Sequence, residues 1–273
     1  MVTSESRKVF LTGASSGIGL ETAALLTRHD YEVWGTSRDV LRLPTLPRFH
    51  PVRMDLASFD SIREGFAMAL REAGAFDVLI NNAGDGAFGP LEAMPAEMVR
   101  EQFQVLVDAP LELIRLALPK MREHGRGVIL NVTSLAAQFP IPFMAPYSAA
   151  KSALSLFTQG LRVELSNTSI HVVELRPGDI KTLFHERTKK AVAAASAEEQ
   201  RRMKAAWDTQ VRNMGAAPPP ERVARVVLRA ITASNPPPVL VVGGFFQARV
   251  TPLAARLLPP RLLECALRRY YRL

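Results

Sequence analysis

The sequence predicts an α/β fold: a single domain, 1–273, built on a doubly wound parallel sheet of about seven strands with helices on both faces. Three observations predict it. Strand-length apolar runs alternate with longer helix-period segments along the chain. A glycine-rich turn joins the first run to the first helical segment. The 48% of hydrophobic residues in a chain of 273 suffice to bury one large core.

In chain order, 8–12, 32–37 and 49–54 are short and rich in Val, Leu or Phe, which marks strands, and 18–28 between the first two has helical spacing. The same reasoning gives helix 58–72, strand 76–81, long helix 97–123, strand 127–133, helix 145–165 and strand 170–175. A proline stop at 218–220 precedes helix 221–233, and 239–242 completes the sheet. The segment 183–215 stands outside this rhythm. Its composition is helical, and it is inserted after the sixth strand, at the sheet's carboxyl edge, where a substrate lid would sit. A plain surface helix pair is the alternative.

Composition narrows the function. With 34 Lys and Arg against 26 Asp and Glu, the chain carries +8, which suits an anionic partner without selecting one. The single cysteine, Cys265, cannot close an intrachain disulfide, and histidines 29, 50, 124, 171 and 185 form no pair at metal-ligand spacing, so no metal is expected. The polar start and the lack of a run of roughly 18 uncharged apolar residues imply a cytoplasmic protein. No aromatic-basic sheet motif or recognition helix accompanies the charge, so nucleic acid is not an expected partner.

Chemistry enters at the first turn, Thr12-Gly13-Ala14-Ser15-Ser16-Gly17-Ile18-Gly19. Glycines at 13, 17 and 19 permit a sharp turn, close backbone approach to a pyrophosphate and tight helix–strand packing. In a strand–turn–helix context this is a Rossmann-type dinucleotide site. At the end of the second strand, Arg38 stands where the adenosine ribose would lie, with Ser37 rather than an acid before it. A fork of donors suits a 2′-phosphate, so NADP(H) is favoured over NAD(H). Arg38 as a solvated charge is the alternative, and Asp39 is close enough to fold back to the ribose. Asp55 suits the adenine amino group or a helix cap. Further along, Ser134 ends the fifth strand, and Tyr147 and Lys151 stand four apart, on one face of the next helix. A phenol titrates near 10, too high for efficient neutral-pH acid/base work, and an adjacent ammonium lowers that value. This assigns Ser134 to the substrate oxygen, Tyr147 to the proton, and Lys151 to the ribose and to tuning the phenol.

These motifs, TGASSGIG at 12–19, Asp55, NNAG at 81–84, Ser134, YSAAK at 147–151 and RPGDIKT at 176–182, resemble the short-chain dehydrogenase/reductase family over nearly the whole chain. Within it, the sequence is most like the 17β-hydroxysteroid and retinol dehydrogenase branch. The resemblance implies that Asn82, Ala83 and Gly84 support the adenosine side and that Pro177, Gly178, Ile180 and Thr182 wrap the nicotinamide. It also implies a homodimer or homotetramer through the two long helices. One position departs: where the family carries an Asn that supports a distorted helix and a proton relay, this chain has Leu106. Pro110 lacks the N–H that would bond the carbonyl of residue 106, so the kink frees the same oxygen. A merely tolerated bend is the alternative.

By the family's geometry the substrate lies against 135–144, giving Leu135, Gln138, Phe139, Phe143 and Met144, and beneath the insert, giving Leu183, Phe184, Met203 and Trp207, with His185 as a further polar candidate. An apolar lining suits a hydrophobic alcohol or carbonyl compound. The tail, 249–273, holds six arginines against one glutamate, +5 of the total, with leucines at helical spacing. Three placements suit it: peripheral contact with an anionic membrane, a cover on the substrate entrance, or a subunit contact. The sequence thus reads as an NADP(H)-dependent oxidoreductase interconverting a hydrophobic alcohol and its ketone or aldehyde. A noncatalytic NADP-binding regulator or scaffold of the same fold is the rival, prompted by Leu106.

Overall fold

In the computed structural model, residues 6–191, 196–249, 251 and 257–273 are described. The strands are β1 (Lys8–Leu11), β2 (Glu32–Ser37), β3 (Phe49–Arg53), β4 (Val78–Asn81), β5 (Ala87–Phe88), β6 (Gly127–Val132), β7 (Ile170–Pro177), β8 (Lys189–Lys190) and β9 (Val239–Val242). Seven form one sheet in the order β3-β2-β1-β4-β6-β7-β9, every neighbouring pair parallel. Chain direction across the sheet reverses between β1 and β4. That is the switch point at which open α/β sheets bind ligands beyond their carboxyl ends.

Covered on both faces, the central strands read as continuous apolar runs rather than alternating ones, and β4 and β6 are buried at every residue. Alternate side chains feed two cores. Phe10, Leu79 and Ile129 pack with Phe66, Leu113 and Leu161, which come from α2 (Phe59–Ala73), α4 (Ala109–Glu123) and α5 (Ala145–Glu164). Val9, Leu11 and Leu130 pack on the other face with Leu26 and Val227, from α1 (Gly17–Arg28) and α8 (Pro220–Thr232). Pro220 stands in the first turn of α8, where its missing N–H costs nothing.

Two elements differ from the periodicity reading. The long helix is divided: α3 (Ala96–Phe103) passes into a π turn, Gln104–Asp108, before α4 begins. The insert comprises a short helix α6 (Phe184–Arg187), the two-residue β8, which pairs with β5, and α7 (Ala197–Gly215). α7 starts at a capping box in which Ser196 accepts from the Glu199 N–H and Glu199 accepts from the Ser196 N–H. The short α9 (Phe245–Arg249) follows β9, and the described part of the tail forms α10 (Pro260–Tyr271). Among the described residues no helix is long and apolar enough to cross a membrane, and no cluster of metal-ligating side chains occurs.

Candidate active site

A cleft of about 800 Å³ opens over the carboxyl ends of β1, β4 and β6. Its floor is the glycine turn. An added Cβ on Gly19 would lie 2.1 Å from the Gly13 carbonyl oxygen and 2.6 Å from the Asn82 amide nitrogen, so only glycine fits. Gly13 adopts φ of 71°, a left-handed conformation that glycine alone takes cheaply. Asn82 secures this turn by donating to the Thr12 carbonyl at 2.9 Å, and Thr12 Oγ1 accepts from the Asn82 and Ala83 N–H groups, each at 3.0 Å.

Gly13, Ser15, Ser16, Gly17, Ile18, Gly19, Arg38, Asp55, Asn82, Ala83, Gly84, Pro177, Gly178, Ile180 and Thr182 all line the cleft, together with Ser134, Tyr147 and Lys151. Asp55 accepts from the Ala57 N–H at 3.0 Å, while Ser58 rather than Asp55 caps α2. Asp39 caps the short turn Val40–Arg42 by accepting from the Leu41 N–H. Of the residues expected along the substrate wall, Leu135, Phe139, Leu183, Phe184 and His185 line the cleft. Phe143, Met144 and Trp207 pack instead in the cluster behind it, with Phe88 and Met203. The Gln138 Oε1 is buried and unpartnered among the described residues.

At the centre, Tyr147 and Ser134 are hydrogen-bonded through their side chains. Ser134 also caps the turn Leu135–Ala137, its Oγ accepting from the Ala136 N–H at 3.0 Å. Lys151, 4% exposed, donates from Nζ to the Val132 carbonyl at 2.8 Å. Burial dominates both titrations. It pushes the phenol up to about 12, against the lowering pull of Ser134, and pushes the Lys151 ammonium down to about 8. The spacing puts both side chains in the cleft, but the tyrosine shift runs opposite to the one an adjacent ammonium implies: removal from water is its leading cause, and the charge of Lys151 is not among its causes.

Leu106 is buried at 1% exposure within the π turn. A Cβ on Gly84 would meet the Leu106 Cδ2 at 2.9 Å and Lys151 Nζ at 3.7 Å, so the leucine and the lysine's ammonium end both flank Gly84. The Ala109 N–H reaches five residues back to the Gln104 carbonyl, and Pro110 has no N–H to offer residue 106.

Several further residues line the cleft. Asp85, just after the NNAG turn, is pushed up by burial, against the pull of Lys189 and Arg38, and accepts from Gln102 at 3.2 Å. Asp179 is also pushed up by burial and is held by Gln247, whose amide donates to the carboxylate and whose Oε1 accepts the Asp179 N–H at 3.0 Å. From the tail, Leu263, Ala266, Leu267, Tyr270 and Tyr271 face the cleft, and the Tyr270 hydroxyl accepts from Asn213 of α7 at 2.6 Å.

A sequence model of the family described as short chain dehydrogenase matches residues 7–193. The 3-ketodihydrosphingosine reductase of Bacteroides thetaiotaomicron is 29% identical over 274 residues, 96% of this chain and 97% of that one. The probable short-chain type dehydrogenase/reductase VdlC of Helicobacter pylori is 35% identical over 174 residues, 63% of this chain but only 64% of its own length. Among solved structures, a short-chain dehydrogenase from Streptomyces avermitilis superposes with a TM-score of 0.81 at 25% identity, covering 98% and 99% of the two chains.

Proposed function

Because this chain belongs to the short-chain dehydrogenase/reductase family, whose members are oxidoreductases acting on CH–OH groups, we propose that it uses NADP(H) to interconvert a hydrophobic alcohol and its ketone or aldehyde. The observation that carries this reading is the convergence of Ser134, Tyr147 and Lys151 in the cleft floored by the glycine turn. The fit to a dinucleotide rests on the glycine cradle that a Cβ would fill and on the N-terminus of α1, which the side chain of its N-cap residue Ser16 does not cap. Arg38 and Arg42 beside it favour the phosphorylated cofactor.

When bound there, the nicotinamide supplies or accepts the hydride. The protein's own groups do the rest. Ser134 orients the substrate oxygen and Tyr147 holds the proton it receives. A phenol pushed to about 12 keeps that proton at neutral pH, which suits reduction of a carbonyl over oxidation of an alcohol. Lys151 holds a positive charge at pH 7, below its value of about 8, beside the ribose side of the cleft. Leu135, Phe139, Phe184 and Leu263 form an apolar wall that excludes water and suits a long hydrocarbon body. The nearly full-length likeness to a relative named for reducing 3-ketodihydrosphingosine supports a ketone substrate.

For the tail we favour a cover on the substrate entrance over membrane contact, because Leu263, Leu267 and Tyr271 face the cleft, while Leu257 and Leu262 stay exposed. Exposed Leu156 and Val163 on α5 support a subunit contact through that helix. Turnover is tested by following NADPH absorbance with a panel of hydrophobic ketones, using wild type and Tyr147→Phe. Loss of turnover in the variant with NADPH binding retained supports the enzyme. Wild type that binds NADPH tightly yet reduces none of the panel supports the scaffold reading that Leu106 prompts.

A further inference from the structure

Three arginines from distant parts of the chain line the same end of the cleft. Arg38 follows β2, Arg42 ends the short turn after it, and Arg187 ends α6 in the insert. Arg187 reaches across the cleft and donates from Nη1 to the Ser16 Oγ, in the glycine turn 171 residues away in sequence. Burial, and then the like charges of Arg42 and Arg38, push its guanidinium down, which marks the three as electrostatic neighbours. None of the three is ion-paired with a carboxylate among the described residues, whereas Arg63, Arg115, Arg126 and Arg176 elsewhere all are. The nearby acids are engaged or weak partners: Asp39 accepts from the Leu41 N–H, Asp55 from the Ala57 N–H, Asp85 accepts from Gln102 and feels Lys189 before Arg38, and Glu186 is the last and smallest influence on Arg187. Like charges gathered without a counter-ion repel, and a dianion among them turns that cost into attraction.

We infer that Arg187 is a specificity-determining residue, completing with Arg38 and Arg42 a subsite for the 2′-phosphate of the cofactor's adenosine. The inference rests on the NADP(H) reading above and deepens it, because it adds a residue carried by the substrate lid to a cofactor preference assigned so far to the sheet edge. A consequence follows from the helix that bears it. Phe184, three residues earlier on α6, packs its ring 5.5 Å from that of Tyr147. The same helical turn therefore meets the catalytic phenol at one end and the phosphate subsite at the other.

Calorimetric titration of the full-length protein with 2′,5′-ADP and with 5′-AMP tests this, since the two probes differ only in the 2′-phosphate and neither supports turnover. Wild type binds 2′,5′-ADP more tightly. Arg187→Ala weakens 2′,5′-ADP by roughly 10- to 100-fold, the range for hydrogen bonds to charged groups, and leaves 5′-AMP within about twofold. Arg187→Lys, which keeps the charge but not the fork, recovers part of the loss. Because Arg187 is exposed, an unchanged unfolding temperature in both variants shows that the fold is intact. Equal weakening of both probes would assign Arg187 to the 5′-phosphate and overturn the inference. Unchanged binding of both would leave it a surface charge and overturn it as well. If wild type itself binds the two probes equally, the NADP(H) reading fails first and the subsite falls with it.

Discussion

Replacing Lys151 by Met tests how much burial costs the protein. In the folded chain the ammonium falls from its ordinary 10.5 to about 8, with desolvation as the leading cause. At 1.36 kcal/mol per tenfold, holding the charge inside costs about 3 kcal/mol. The sign follows from proton counts: between pH 8 and 10.5 the unfolded chain binds more protons than the folded one, so stability rises with pH across that window. The penalty is therefore full below pH 8 and gone above 10.5. Methionine has nearly the same reach without the charge, but it removes the 2.8 Å bond to the Val132 carbonyl and leaves that oxygen buried, at about 1 kcal/mol. The net expectation at pH 7 is a variant more stable by about 1–2 kcal/mol, or roughly 2–6 °C in Tm, though catalytically crippled. The advantage shrinks to nothing by about pH 9.5 and reverses above it. Thermal unfolding followed by circular dichroism at pH 7 and pH 9.5 reads both numbers. A variant less stable than wild type at pH 7, or a gap that ignores pH, refutes the reasoning.

Two further perturbations follow. Glu112, held down to about 2 by hydrogen bonds from Arg115 and Arg63, stabilises the fold above the ordinary carboxylate range and ceases to do so as pH falls from about 4.5 to 2. Since both guanidiniums are more than half exposed, Glu112→Gln should cost about 1 kcal/mol at pH 7, well short of the full shift, and nothing near pH 2, as read from urea unfolding at the two pH values. Pro110→Ala supplies an N–H four residues after Leu106. If the missing donor is what keeps that carbonyl free, kcat falls by roughly tenfold with NADPH affinity retained, a fraction of what acid–base assistance contributes. An unchanged kcat means the proline is only a tolerated bend.

Legibility in the sequence followed the range of the interaction. The seven strands of the main sheet, the glycine turn and the Ser134–Tyr147–Lys151 set were readable because each announces itself within a few residues. The β5–β8 pair was not, since two residues cannot display a period. The π turn was foreshadowed by Pro110, yet not as a clean division of one long helix into two. Arg187 and Gln247 reach partners 171 and 68 residues away, and nothing local marks them. Phe143, Met144 and Trp207 sit in or beside segments that border the cleft, but their side chains turn into the cluster behind it, and sequence proximity alone could not tell the two sides of that wall apart. Four-residue spacing brought the phenol and the amine together. It could not weigh charge against desolvation, which depends on how much of the chain closes over them.

The clasp between Gln247 and Asp179 bears on how the protein is made. Translation releases the glycine turn well before Tyr271, and domains begin to fold as they leave the ribosome. The first 182 residues supply the sheet's switch point and Ser134, Tyr147 and Lys151, yet Gln247 and α10 both border the same cleft. A nascent chain that has emerged only through α8 should therefore hold most of the sheet around an open groove, and the groove should be lined in full only once Gln247 and α10 have followed.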